Sequence, residues 1–300
     1  MDIKQLTAFA FLVVLTLAPT VVSYASREKL TLTNLRCDDR INPLGIESEH
    51  PRLSWMIGAT YHGVKQTAYH ILVSDDPKLL EQGKGNVWNA GKIKAGTSIQ
   101  VVYSGKPLAP GKKYYWKVKI WDNQGHVSPW SDPASWQMGL LSPQDWAGAR
   151  WIGYDELPPS SRIVPAVHGG GKAEWGPLRD TLPLLRRSFV VEKPLTRATV
   201  FISGLGHFDL HVNGTKIGDH FLDPGWTNYG QAAQYVAFDV TNNLTTGTNA
   251  LGVMLGNGFY HVPAERYRKL TGTFGHPKMI CRLLLEYADD TAVDIVSDDT

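Results

Sequence analysis

Between Leu30 and the C-terminus the hydrophobic residues recur at every second position in short runs, and turn residues break the runs apart. Tyr69, Ile71 and Val73 alternate with Ala68, His70 and Leu72. Tyr114, Trp116, Val118 and Ile120 share one face, opposite Tyr115, Lys117, Lys119 and Trp121. A period of two describes a strand with one buried side, so Trp116, Val118 and Ile120 are expected inside and Lys117 and Lys119 outside. Pro43-Leu44-Gly45, Asp75-Asp76-Pro77, Pro110-Gly111 and Asp122-Asn123-Gln124-Gly125 read as the turns. Short strands at this spacing predict antiparallel sandwiches rather than a parallel sheet.

Leu108, Pro110-Gly111 and Tyr114 are spaced as in a tyrosine corner, in which the phenol ties a turn to upstream backbone. A second set of strands follows: Thr199, Phe201 and Ser203 alternate with Val200 and Ile202, and Phe208, Leu210 and Val212 with Asp209 and His211. Asn213-Gly214 demands a tight hairpin, because both residues tolerate positive φ. Further strands are expected at Ala232–Val240, Ala250–Leu255 and Met279–Tyr287, with one more running into the end of the chain, where the sandwich looks incomplete. No long amphipathic helix is visible. The prediction is an all-β chain of two consecutive β-sandwich domains, 30–140 fibronectin type III-like and 145–300 jelly-roll-like. The Pro- and Gly-rich stretch 155–183 has no period and reads as a loop insertion.

Residues 1–25 carry one early positive charge, Lys4, then an apolar stretch, then Ser23 and Ala25 before Ser26. This is the pattern of a cleaved signal peptide, with an uncleaved anchor as the competing reading. The chain is expected to be secreted or periplasmic, with no membrane association after cleavage. A net charge of +2 without basic clusters argues against a nucleic-acid partner. Two distant cysteines, Cys37 and Cys281, offer neither a disulfide framework nor a metal knuckle.

Catalytic motifs are missing. There is no G-x-S-x-G, no H-E-x-x-H and no Walker lysine, and His168-Gly-Gly-Gly171 lacks the nucleophile that would make it an oxyanion loop. The acidic doublets Asp38-Asp39, Asp75-Asp76, Asp289-Asp290 and Asp298-Asp299 place neighbours on opposite sides of a strand or in turns. A glycosidase instead needs two carboxyl groups facing each other across a sugar.

One long stretch carries a resemblance. Ile202-Ser-Gly-Leu-Gly-His-Phe-Asp-Leu-His-Val-Asn-Gly-Thr-Lys-Ile-Gly-Asp219, Leu222-Asp-Pro-Gly-Trp-Thr-Asn-Tyr229 and Asn249-Ala-Leu-Gly-Val-Met-Leu-Gly-Asn-Gly-Phe-Tyr260 together resemble the N-terminal sandwich of bacterial α-L-rhamnosidases. Asn42-Pro-Leu-Gly-Ile46, Pro51-Arg-Leu-Ser-Trp55 and Ser128-Pro-Trp-Ser131 resemble the fibronectin-like domain that opens those enzymes. The resemblance implies a glycoside hydrolase acting on terminal α-L-rhamnosyl linkages of plant or microbial glycans by an inverting mechanism. It also implies that hydrolysis belongs to a C-terminal (α/α) barrel, so no catalytic residue is carried over to this chain.

Some sandwiches of that family bind rhamnose with the help of calcium. By that resemblance the carbohydrate-binding candidates are Trp226, Asn228 and Tyr229 in one loop and Asn257 and Tyr260 in another. Core packing is the favoured reading of Trp226, and an αL turn between glycines that of Asn257. No cofactor is required; calcium could draw on Asp209, Asp219 or Asp223, although no calcium-loop spacing accompanies them. The expected partners are rhamnose-containing glycans and the catalytic barrel of the same polypeptide. The alternative is a free-standing carbohydrate-binding or adhesion protein of two sandwiches.

Overall fold

The computed structural model describes residues 29–154, 182–262 and 272–299. The expected signal peptide, His168-Gly-Gly-Gly171 and nearly all of the 155–183 insertion lie outside the described residues. The described residues are almost entirely β in their regular structure, with 47% strand and 5% helix.

The first sandwich packs a three-stranded sheet on a four-stranded one. One holds β1 (Leu30–Cys37), β2 (Arg52–Ala59) and β5 (Val101–Val102) in the order β1-β2-β5. The other holds β3 (Gln66–Ser74), β4 (Trp88–Asn89), β6 (Lys113–Asp122) and β7 (Ala134–Gln137) in the order β4-β3-β6-β7. Every pairing is antiparallel. The core forms where the inward residues of both sheets meet: Leu53, Trp55, Ile71, Val73, Tyr103, Trp116, Val118, Ile120 and Trp136. The Ala109 N–H donates to the Tyr114 hydroxyl at 2.8 Å, which closes the expected tyrosine corner. The turn at Asp75-Asp76-Pro77 opens into a short helix, α1 (Pro77–Glu81). Asp76 caps it by accepting from the Lys78 N–H, and proline at the first turn loses no needed hydrogen bond.

Strict alternation fails on β3, where Ala68 and Leu72 are buried beside Tyr69, Ile71 and Val73, and on β6 at Lys117. Lys117 was expected outside and is 7% exposed. Its stem is covered because Trp130, on the segment leading into β7, lies across this face with its ring centroid 5.3 Å from the Lys117 Nζ.

The second sandwich has β13 (Val236–Asp239), β10 (Leu195–Leu205), β17 (Lys278–Tyr287) and β18 (Ala292–Val296) in one sheet, in that order, with β8 (Ile152–Gly153) also on β17. Its partner sheet runs β12 (Thr215–Lys216), β11 (His207–Val212), β14 (Gly247–Gly256), β9 (Leu184–Val191). A separate ribbon joins β15 (His261–Val262) to β16 (Gly272–Thr273). Asn213 (φ 50°) and Gly214 (φ 82°) form the expected hairpin between β11 and β12. The strand expected over Ala232–Val240 is shorter, since 232–235 form no ladder.

Both faces of β10 are buried. Val200 and Ile202 enter the core of the second sandwich, whereas Phe201 joins Leu284 and Leu140 in a smaller cluster against the first. The Gln137 amide, wholly buried on β7, donates at 2.9 Å to both Thr199 Oγ1 and the Gly111 carbonyl. The Tyr235 hydroxyl accepts from the Leu140 N–H at 2.8 Å. Gly139 is required here, because a Cβ would stand 2.1 Å from the Tyr235 hydroxyl oxygen. Apolar burial and paired polar groups therefore join the two sandwiches.

Candidate functional site

The loops carrying the candidate sugar residues meet at one end of the second sandwich. Gly206 (φ 109°) turns the chain from β10 into β11, and a Cβ there would lie 2.2 Å from the Gly256 carbonyl oxygen. Gly258 (φ 49°) rests on the His207 ring, which a Cβ would meet at 2.9 Å. These two glycines let the Gly256-Asn257-Gly258 turn lie flat against the start of β11. It is Gly258, not Asn257, that takes positive φ, which corrects the αL reading of Asn257.

From that turn the next two rings diverge. Phe259 points outward to Trp226, with ring centroids 5.4 Å apart and planes at 39°. Tyr260 points inward, is 7% exposed and stacks on Phe274 at 5.8 Å. Tyr229 meets Tyr260 edge-on at 5.3 Å and Phe274 at 5.6 Å. The loops holding Trp226 to Tyr229 and Asn257 to Tyr260 thus touch twice, once on the surface and once beneath it.

Trp226 is 65% exposed, so the core reading of that residue is overturned. It has no strand around it: Asp223 is held beside β11 by accepting from the Phe208 N–H, and the chain then leaves the sheet. Asn228 shapes its own loop. Its side-chain oxygen accepts from the Gly230 N–H, and its carbonyl accepts from the N–H groups of Gln231 and Ala232. Asn257 is half-buried and accepts through its carbonyl from the His261 N–H. The Tyr229 hydroxyl is buried with no hydrogen-bond partner among the described residues, and burial, with Tyr260 beside it, pushes its pKa up. The face therefore offers an exposed Trp226–Phe259 pair and, below it, one polar group without a mate. An indole–phenyl pair of this kind suits the C–H side of a pyranose.

Phe259 and Phe274 were not among the sequence candidates. Phe259 was legible as the neighbour of Tyr260, since adjacent residues in an extended segment point opposite ways. Phe274 lies beyond a separate ribbon and had no local signal.

The acids do other work. Lys216 reaches Asp209 at 2.8 Å, His220 pairs with Asp223 at 3.0 Å, and Asp219 is fully exposed. Among the described residues, no three His, Cys, Asp or Glu side chains converge as metal ligands. The doublets are held by cations or turns: Asp75 by Lys112 and Asn86, Asp289 by Lys193 and Thr291, Asp298 by Arg187 and Asp299 by Arg150. Asp75, Asp122 and Asp289 are all shifted below the ordinary carboxylate range, the opposite of what a general acid needs.

Comparison with known proteins decides the family. Residues 32–142 match the Rha78A-like, N-terminal immunoglobulin domain, and residues 193–300 match the alpha-L-rhamnosidase N-terminal domain. The chain carries the N-terminal domains of the α-L-rhamnosidase family. An alpha-L-rhamnosidase of Formosa agariphila is 39% identical over 86% of this chain, and one of an Alteromonas species is 31% identical over 87%. The matched segments are 28% and 27% of those proteins, so this rhamnosidase region spans little more than a quarter of their length. The solved alpha-L-rhamnosidase of Dictyoglumus thermophilum superposes with a TM-score of 0.73 at 35% identity, covering 90% of this chain and 29% of that one. The Streptomyces avermitilis enzyme, solved with L-rhamnose, shares the fold at a TM-score of 0.74 and 22% identity, covering 90% of this chain and 40% of its own.

Proposed function

We propose that this chain is the N-terminal accessory region of a secreted α-L-rhamnosidase. The polypeptide it belongs to hydrolyses terminal α-L-rhamnosyl linkages with inversion, and a helical barrel outside this region supplies the paired carboxyl groups. The observation that carries this reading is the pair of family domains in order, with 39% identity to a rhamnosidase of which the matched segment is 28%. Residues 1–25 direct export and are removed. The region's own work is to fold against the barrel and to hold a rhamnose-containing glycan on Trp226, with Asn228, Tyr229, Asn257 and Tyr260 shaping that face.

The test is hydrolysis of an aryl α-L-rhamnoside by the polypeptide encoded through and past Thr300, followed by proton NMR. Release of rhamnose as the β-anomer supports the proposal. Release of the α-anomer first overturns inversion, and no release overturns the rhamnosidase reading.

A further inference from the structure

The first sandwich bears an unusual face. Lys117, Lys119 and Trp121 project from the outer side of β6, His70 lies opposite Lys119 on β3, and Trp130 and Lys92 flank them. The side chains alternate in a ladder. Lys92 Nζ lies 4.3 Å from the Trp121 centroid, and Lys119 Nζ lies 5.4 Å from Trp121 and 4.7 Å from Trp130. Lys117 Nζ lies 5.3 Å from Trp130 but is 7% exposed, so it backs the ring, and the accessible charge of the face is that of Lys92 and Lys119. His70 fixes Trp130 edge-on at 5.1 Å and is itself bonded to Asn89.

What the ladder lacks is counter-charge. Lys112, Lys193 and Lys216 each hold a carboxylate. Among the described residues, no carboxylate pairs with Lys92, Lys117 or Lys119; Glu81 acts on Lys117 only through its field. The indole quadrupoles attract the three ammonium groups and fix their stems, but they do not neutralise them. Ordering the lysines on the rings also removes the entropy an incoming anion would otherwise have to extract.

We propose that this Lys–Trp face binds an acidic polysaccharide, a chain of uronic acid residues. The row is one ammonium wide, which matches a single strand carrying one carboxylate per sugar. A duplex nucleic acid spreads its charge over two backbones and draws on many more cations. Lysine meets a carboxylate as a point charge, without the forked geometry that arginine imposes. The indole edges between the ammonium groups offer apolar surface to the C–H sides of the pyranose rings. The proposal is independent of hydrolysis.

Native electrophoresis of the full chain through gels containing polygalacturonate, dextran or duplex DNA tests this at low and high salt. Retardation by polygalacturonate alone, lost at high salt, is the expected result. Lys92→Gln/Lys119→Gln should weaken it about fivefold or more. Lys84→Gln/Lys106→Gln removes the same charge from exposed positions off the ladder and should leave it unchanged. Should the ladder variant melt early, Lys92→Glu at an exposed position reads the same interaction in the intact fold and should also weaken retardation. No retardation by polygalacturonate, equal retardation by DNA, or equal loss in both double variants would overturn the proposal.

Discussion

Gln137 and Thr199 bond across the junction of the two sandwiches, 2.9 Å apart and both wholly buried. The amide's second N–H goes to the Gly111 carbonyl, so no donor of that group is spare. Thr199→Val keeps the shape and removes the acceptor. It should cost about 1–3 kcal/mol, the penalty for an unsatisfied buried N–H. Urea denaturation would measure it, and an unchanged midpoint would mean the amide finds another partner.

Asp122 contributes to the acid end of the stability profile. Burial pushes its carboxyl up. The hydrogen bonds from Tyr61 and His126 side chains and from the His126 and Gln124 N–H groups outweigh burial and hold it down at about 2. A depressed folded value means stability that is present above the unfolded value of 3.8 and lost as pH falls toward 2. Tyr61→Phe removes one of the bonds, raises the folded value and narrows that window. Thermal melts across this range should show a shallower pH dependence in the variant; parallel profiles would place the acid sensitivity elsewhere.

The two thiols should be silent in the folded protein. Burial raises both, Cys281 to about 12 and Cys37 further, with Asp38 adding to the latter. A thiolate is the reactive form, so a disulfide reagent at mild alkaline pH should modify neither until denaturant is added. Rapid labelling of the native chain would contradict this placement.

Much of this fold is written locally. Asn213-Gly214 set its hairpin and Tyr114 its corner because each acts on residues within a turn of itself. The errors came from contacts between distant segments. Lys117 is buried by Trp130, which no strand pattern on β6 can report. The alternation of Thr199, Phe201 and Ser203 with Val200 and Ile202 does not show that both sides are covered, because the Phe201 side is the junction with the first sandwich. Trp226 looked like a core residue because tryptophan usually is one, yet its loop leaves the sheet and exposes it. The partner of Tyr260, Phe274, is brought in by the fold alone.

Trp226 supplies a prediction that separates surface from core. At 65% exposure, Trp226→Ala should change stability by no more than about 0.5 kcal/mol. If the Trp226–Phe259 pair stacks on sugar, the same change should cost about 1–2 kcal/mol of L-rhamnose affinity by calorimetry. Unchanged binding in the folded variant would remove Trp226 from the sugar face. Tyr229→Phe deletes a hydroxyl that has no partner among the described residues, so it should leave the melting temperature unchanged or raise it slightly.

We propose that these residues serve a rhamnosidase without performing its chemistry. Incubating the purified 300-residue chain with an aryl α-L-rhamnoside tests it most directly. The chain should release no aryl group. Steady release that disappears when one of the chain's own carboxylates is changed to its amide would contradict it.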